Sequence, residues 1–177
     1  FFRVNIMNKI KILDGGMGSE LIRCGEQLPE HIWSAKINLT NPNLIYKIHK
    51  KYIEKGADYI TTNTFRTTPR AFKKIGLTNN EAYENAQRSF ESAINMAKKA
   101  SSERTKILGS IAPLEDCYTP SLFPRNENAK NEFLIIAQDL RVSGTSEGIV
   151  SRSFIANLRA AYPNSFIKVV SKNSKKR

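Results

Sequence analysis

The chain has 177 residues, of which 40% are hydrophobic, and a formal net charge of +12, so it can bury one good core and one domain is the simplest organisation. No apolar run approaches the roughly 18 residues that a membrane span needs, and the N-terminal "FFRVNIMNKIKIL" is too short and too interrupted by polar residues to be a signal peptide. Two cysteines, Cys24 and Cys117, give no disulfide framework and predict a reducing, cytoplasmic location.

The positive charge is concentrated near the C-terminal end. Residues 141–177 hold eight Lys and Arg against one acid, so this segment carries +7 and the first 140 residues carry +5. A basic tail can bind nucleic acid or anionic lipid through counterion release. Because no aromatic stacking pattern or recognition motif accompanies it, nucleic-acid binding is the less favoured function.

The predicted elements begin with a short strand and two helices. "KIKIL" (9–13) is a strand that leads through Asp14 and three glycines into a helix over "SELIRC". The next helix is "NPNLIYKIHKKYIEKG", with Asn41 as its predicted N-cap, Pro42 at its first position and Gly56 as its stop.

The second half of the readable region repeats this order. "ADYITTNTF" is a β-branched strand, residues 80–100 keep an apolar period of 3.6 and form the clearest helix, "TKILGSIAP" is a third strand, and "NAKNEFLIIAQDL" is a further helix. Strands that alternate with longer amphipathic helices predict parallel βαβ units and hence an α/β fold.

Three strand ends share a small, polar composition: "DGGMGS", "TTNTF" and "GSIAP". In parallel α/β folds ligands gather where the carboxyl ends of the strands open into loops. The first loop is neither a G-x-G-x-x-G dinucleotide fingerprint nor a P-loop, so nucleotide binding is not favoured. A carboxylate at Asp14 beside clustered backbone N–H groups suits a small zwitterion, which makes an amino acid the predicted ligand.

Four blocks carry a family resemblance: "ILDGGMGSEL", "IWSAKINLTNP", "IHKKYIEKGADYITTNTF" and "ILGSIAPLEDCYTP". In this order and spacing they resemble the N-terminal part of the homocysteine S-methyltransferase family, over about Lys9 to about Leu140. The resemblance implies a (β/α)8 TIM barrel whose active site lies at the carboxyl ends of its strands.

The resemblance also implies a chemistry. In that family a small donor gives a methyl group to the thiol of homocysteine to form methionine, and a zinc ion held by three cysteine thiolates activates the thiol. By similarity, the amino-acid end of homocysteine would lie against Asp14, Gly15, Gly16 and Met17. The pocket wall would be formed by Thr62, Asn63, Thr64 and Ser110. The donor itself is not indicated by the sequence.

The family's zinc ligands have no counterpart in this sequence. Cys24 and Cys117 stand at positions that do not match them, and His31 and His49 add no C-x-x-C or H-x-x-x-H spacing. We therefore predict no metal ligands, interpret both cysteines as ordinary thiols, and expect both histidines on or beside helix surfaces.

Chain length bounds the predicted fold, because a (β/α)8 barrel takes about 250 residues and rarely fewer than 200. Residues 9–140 supply a partial homocysteine-binding barrel domain of about three to four βα units. After "DLRVSG" a hydrophobic strand is expected, but "TSEGIVSRS" does not continue it. We therefore expect a truncated barrel, a possible frameshift after about Gly144, a basic tail over 141–177 unlike the family, and a possible non-native leader over 1–8.

An open part of a barrel leaves a parallel edge strand and apolar faces uncovered. We expect such a chain to be marginally folded or dependent on a partner, and to perform no zinc-dependent methyl transfer alone. The alternative function is the non-catalytic half of a split barrel that pairs with a separate zinc-bearing C-terminal half. A basic nucleic-acid-binding fragment is the third interpretation.

Overall fold

The computed structural model describes residues 11–115, 119, 122–124, 127–142 and 147–150. The predicted leader over 1–8, Cys117 and most of the basic tail lie outside the described residues. Six helices and three strands follow one another in the described part: α1 (Met17–Arg23), α2 (Ala35–Thr40), α3 (Pro42–Glu54), β1 (Tyr59–Thr61), α4 (Pro69–Lys73), α5 (Asn79–Ala100), β2 (Lys106–Ile111), α6 (Glu127–Val142) and β3 (Glu147–Val150).

The strands form one parallel sheet in the order β1-β2-β3. Ile60 lies opposite Ile107, and Ser110 lies opposite Ile149. Parallel neighbours joined through helices confirm the predicted α/β class, and they bring the carboxyl ends of the strands to one edge.

The predicted first strand over 9–13 is wrong in extent within the described residues. Only Leu13 pairs with the sheet there, as an isolated parallel bridge to Tyr59. Before Leu13 a side chain takes part instead of the sheet backbone: the Asp58 carboxylate accepts the Ile12 N–H at 3.0 Å. In a longer strand a backbone carbonyl of the neighbouring strand would accept that N–H.

The expectation that "TSEGIVSRS" supplies no strand is also wrong. Glu147–Val150 forms β3 and pairs with β2 in parallel, with Val150 opposite Ile111. Backbone pairing along an existing edge is sufficient for a four-residue strand that contains two β-branched residues.

The helices α3 and α5 confirm their predictions. α5 begins with a capping box in which Thr78 and Glu81 bond each other's backbone N–H groups. α3 begins with Pro42 at its first position, but Asn41 at the N-cap makes no side-chain capping bond. The Asn41 amide donates instead to Glu26 at 3.1 Å.

Helix packing on the sheet positions its carboxyl edge. Ile60 on β1, Ala97 on α5 and Ile107 on β2 form one buried cluster. A second cluster joins Ile94 on α5 to Leu140 on α6 through β2. The helices of the described part contain no segment that is long and apolar enough to cross a membrane.

An ion cluster ties α4 to the chain after β2 and to α6. The Arg70 guanidinium donates to Glu132 at 2.8 Å and to Glu115 at 2.9 Å, and Lys74 also donates to Glu115. A planar guanidinium can bind two carboxylates at once, so Arg70 fixes three segments relative to one another.

Candidate functional site

A cavity of about 320 Å³ opens at the carboxyl edge of the sheet. Its wall contains the loop before α1, the ends of β1 and β2, and the turn before α2. Seven of the eight residues predicted for the site line it, and Thr64 alone of the eight does not. These seven are Asp14, Gly15, Gly16, Met17, Thr62, Asn63 and Ser110.

Asp14 lies half-buried in the cavity wall and binds the end of β1. Its carboxylate accepts hydrogen bonds from the N–H of Thr61 at 2.7 Å and from the hydroxyl of Thr61 at 2.8 Å. Burial raises the pKa of Asp14 above its ordinary value of 3.8, while the bonds from Thr61 oppose that rise. One carboxylate therefore anchors the glycine loop to the sheet and also presents negative charge to the cavity.

Two glycines of the loop are required by neighbouring aromatic rings. A Cβ on Gly15 would lie 2.7 Å from the Tyr52 hydroxyl oxygen, and a Cβ on Gly18 would lie 2.6 Å from Nε1 of Trp33. Both distances are too short for a methyl group to fit unless the ring moves. Close packing is thus a second reason for these glycines, besides the access to backbone N–H groups that the sequence suggested.

Hydroxyl groups join the ends of β1 and β2. The Thr64 hydroxyl donates to the carbonyl of Ser110 at 2.7 Å, so its oxygen accepts from the Thr62 hydroxyl at 2.8 Å. Thr62 in turn accepts the N–H of Ser110 at 3.1 Å. Thr62 and Thr64 are buried, and their hydroxyls are occupied by these hydrogen bonds. The two residues therefore hold the carboxyl ends of β1 and β2 together. The Ser110 hydroxyl has no such partner among the described residues.

Asn63 lines the cavity, but its amide is occupied inside the protein. Its side-chain N–H groups donate to the carbonyl of Ser34 at 3.0 Å and to the side-chain oxygen of Asn38 at 2.8 Å. Its side-chain oxygen accepts from the Ser34 hydroxyl at 2.6 Å. Both amide hydrogens are therefore used, which makes Asn63 a support of the wall.

Trp33 and Phe65 also line the cavity, and neither was predicted as a site residue. Trp33 has a φ of 43°, in the left-handed region that a bulky residue enters at a cost of about 1–3 kcal/mol. The block "IWSAKINLTNP" contributed only to the family resemblance, and a positive φ at a non-glycine residue leaves no signal in the sequence.

One prediction about the histidines is wrong. His49 lies on α3 with none of its surface exposed, and neither ring nitrogen has a hydrogen-bond partner among the described residues. It occupies a buried position because it follows Ile45 by four residues and adjoins Ile48, on the face that α3 packs inward. Burial lowers the pKa of His49 to about 4.

The described residues do not fit a zinc site. Cys24 is an exposed free thiol just after α1, whereas His49 is fully buried on α3. Across the part of the chain that the structure describes, no group of three or more His, Cys, Asp or Glu could hold a metal ion.

Comparison with known proteins places this geometry in a family. The family model described as homocysteine S-methyltransferase matches residues 11–147. The chain is 40% identical over 82 residues to a selenocysteine methyltransferase of Astragalus bisulcatus, covering 46% of this chain and 24% of that protein. It is 39% identical over 80 residues to homocysteine S-methyltransferase 3 of Arabidopsis thaliana, covering 45% and 23%.

A solved structure shows the same fold. The metallated form of the homocysteine methyltransferase MmuM from Escherichia coli aligns with a TM-score of 0.68 and 24% identity, covering 90% of this chain and 62% of that one. The matched segments span about a quarter of the length of the curated relatives and less than two thirds of the solved structure.

Proposed function

The chain belongs to the homocysteine S-methyltransferase family, and on this premise we propose that its cavity binds the amino-acid end of homocysteine during methyl transfer. One observation carries the proposal: the Asp14 carboxylate and the start of α1 border the same cavity at the carboxyl edge of a parallel sheet. A carboxylate and free helix N–H groups are the two complementary halves of an amino-acid recognition site.

Each part of the cavity has a role in this proposal. Asp14 pairs with the ammonium group of the ligand. The first N–H groups of α1, at Met17 and Gly18, have no acceptor within the helix and donate to the ligand carboxylate. Trp33 and Phe65 pack against the methylene groups.

Thiol activation by zinc, which the family resemblance implies, is not assigned to any described residue, because these residues do not fit a zinc site. We propose that this portion of the barrel holds homocysteine and that transfer needs a complementary C-terminal barrel half. Stoichiometric zinc binding together with homocysteine methylation by the purified 177-residue chain would contradict this division of roles.

Binding of L-homocysteine to the full chain, measured by calorimetry under reducing conditions, tests the proposal. Asp14→Asn keeps the shape and removes the charge, so it should weaken binding by about 10- to 100-fold, the loss expected for a charge-assisted hydrogen bond. Ser92→Ala is the control, because Ser92 bonds only the backbone of Asn38 behind the cavity wall. Equal affinity in Asp14→Asn and the unmodified chain would refute the role of Asp14.

The pH dependence of binding gives a second readout. The ionised form of Asp14 pairs with the ammonium, and its pKa is raised above 3.8. Affinity should therefore be retained at neutral pH and lost as the pH falls through that raised pKa. Selenocysteine is the second ligand to titrate, since a relative is named for acting on it.

A further inference from the structure

The only tryptophan of the chain stands at the cavity in a backbone conformation that it would not adopt unaided. Trp33 has a φ of 43°, and its indole Nε1 lies 2.6 Å from the point that a Cβ on Gly18 would occupy. The indole thus packs directly on the glycine loop and forms part of the cavity wall. A strained residue persists only where its surroundings fix it, so the restraint on Trp33 should be visible around it.

That restraint acts on the next residue. Ser34 is buried, and Asn63 holds it twice: the Ser34 hydroxyl donates to the Asn63 side-chain oxygen at 2.6 Å, and the Asn63 amide donates to the Ser34 carbonyl at 3.0 Å. A pair of reciprocal bonds fixes both the Ser34 side chain and the peptide that follows Ser34, directly after Trp33 in the chain.

Asn38 continues the restraint into α5. Its amide donates to the backbone carbonyl of Asn63 at 2.9 Å and to the Ser89 hydroxyl at 3.0 Å, and it accepts from the Asn63 amide at 2.8 Å. The Ser89 hydroxyl donates in turn to the carbonyl of Ala35 at 2.9 Å. All four polar side chains of this network are buried, so breaking one bond leaves a polar group without water to replace it.

We propose that Ser34, Asn63 and Asn38 are positioning residues, which hold Trp33 in its left-handed conformation and so fix the place of its indole in the cavity wall. The ligand in this proposal is the homocysteine of the proposed function, and the positioning itself is independent of the ligand. The three residues act through Trp33, since the amide hydrogens of Asn63 and Asn38 are already bonded within the protein.

Trp33 reports on its own position through intrinsic fluorescence of the full chain. Ser34→Ala removes one 2.6 Å hydrogen bond of the network, and it should change the emission maximum and raise the acrylamide quenching constant of Trp33. Ser92→Ala is matched, because it also removes one serine hydrogen bond, of 2.7 Å, to Asn38. It should lower the urea midpoint to a similar extent and leave the fluorescence unchanged. Ser34→Thr keeps the hydroxyl and should retain the fluorescence of the unmodified chain.

Gly18→Ala displaces Trp33 without touching the network. It should change the fluorescence as Ser34→Ala does, and both variants should weaken homocysteine binding by about fivefold to tenfold. Unchanged quenching in Ser34→Ala would overturn the positioning role, and so would unchanged homocysteine affinity in both variants despite altered fluorescence. If the unmodified chain binds no homocysteine, the proposed function fails, while the quenching comparison still decides whether the network holds Trp33.

Discussion

His49 makes the stability of the fold depend on pH in a way that one substitution should remove. The imidazole is wholly buried on α3, and both of its nitrogens lack partners among the described residues. Burial disfavours the charged ring and lowers the pKa of His49 from 6.5 to about 4. His49→Leu replaces the ring with an apolar side chain of similar size.

The size of the effect follows from linkage. Between the two pKa values the unfolded chain binds a proton at His49 and the folded chain does not, so the free energy of unfolding falls as the pH falls from 6.5 to about 4. At about 1.4 kcal/mol per pKa unit, the loss reaches about 3 kcal/mol at the acid end. Above the ordinary pKa the ring is neutral in both states and this contribution vanishes.

Urea unfolding followed by circular dichroism, from about pH 8 to about pH 4.5, measures the effect. Carboxylates titrate in the same range, and burial raises the pKa of Asp14, so the informative quantity is the difference between the unmodified chain and His49→Leu. His31→Leu is the control, because it removes the other histidine from a partly exposed position. His31→Leu should retain the loss of stability toward acid pH that His49→Leu removes.

His49→Leu should also be more stable near pH 8 by about 1 kcal/mol, because it removes buried polar atoms that have no partners. The advantage should grow to several kcal/mol toward pH 4.5. A difference that stays constant over the whole pH range would show that the buried ring is not held neutral, and the reasoning would be refuted.

Three further predictions concern single contacts. Gly15→Ala should destabilise the fold by about 1–3 kcal/mol, because its Cβ would meet the Tyr52 hydroxyl at 2.7 Å, and Tyr52→Phe should recover part of the loss; an unchanged urea midpoint would contradict this. Arg70→Lys should lower the free energy of unfolding by about 1 kcal/mol, since an ammonium cannot bind two carboxylates in a fork. If the same difference is measured in molar salt, the ion pairs are not its cause. Thr78→Ala should cost about 1 kcal/mol through loss of the capping box of α5, measured by thermal unfolding, whereas an unshifted Tm would contradict the cap.

Local patterns predicted much of the framework. The helices α3 and α5 follow from an apolar period of 3.6, together with Pro42 at the start of α3. The convergence of three loops follows from strand direction alone, because the carboxyl ends of parallel strands meet at one edge. For that reason seven residues chosen from the sequence line a single cavity.

The rest depends on contacts between residues that are distant in sequence. The Ile12 N–H donates to the Asp58 carboxylate before the bridge at Leu13, and the rings of Tyr52 and Trp33 leave no room for a Cβ at Gly15 and Gly18. None of these pairings has a local pattern, so they emerge only from the packed fold.

The burial of His49 is a different case, because the sequence contained a pattern that indicates it. His49 follows Ile45 by four residues and adjoins Ile48, so the helical period already placed it on the inward face. Its polar residue type favoured a surface position, whereas the helical period favoured a buried one, and His49 is buried. Periodicity is therefore the stronger guide for a single polar residue within an apolar stripe.

The central claim is that homocysteine lies with its ammonium group against Asp14, its carboxylate at the start of α1 and its methylene groups against Trp33. Transferred nuclear Overhauser measurements on L-homocysteine with the full chain test it most directly, because they report which protein protons lie near the ligand. The account predicts contacts from the ligand methylene protons to the Trp33 ring and from the ligand Cα proton to the Met17 methyl group, and their loss in Asp14→Asn. Saturable binding without contact to either residue, or contacts that persist in Asp14→Asn, would contradict it.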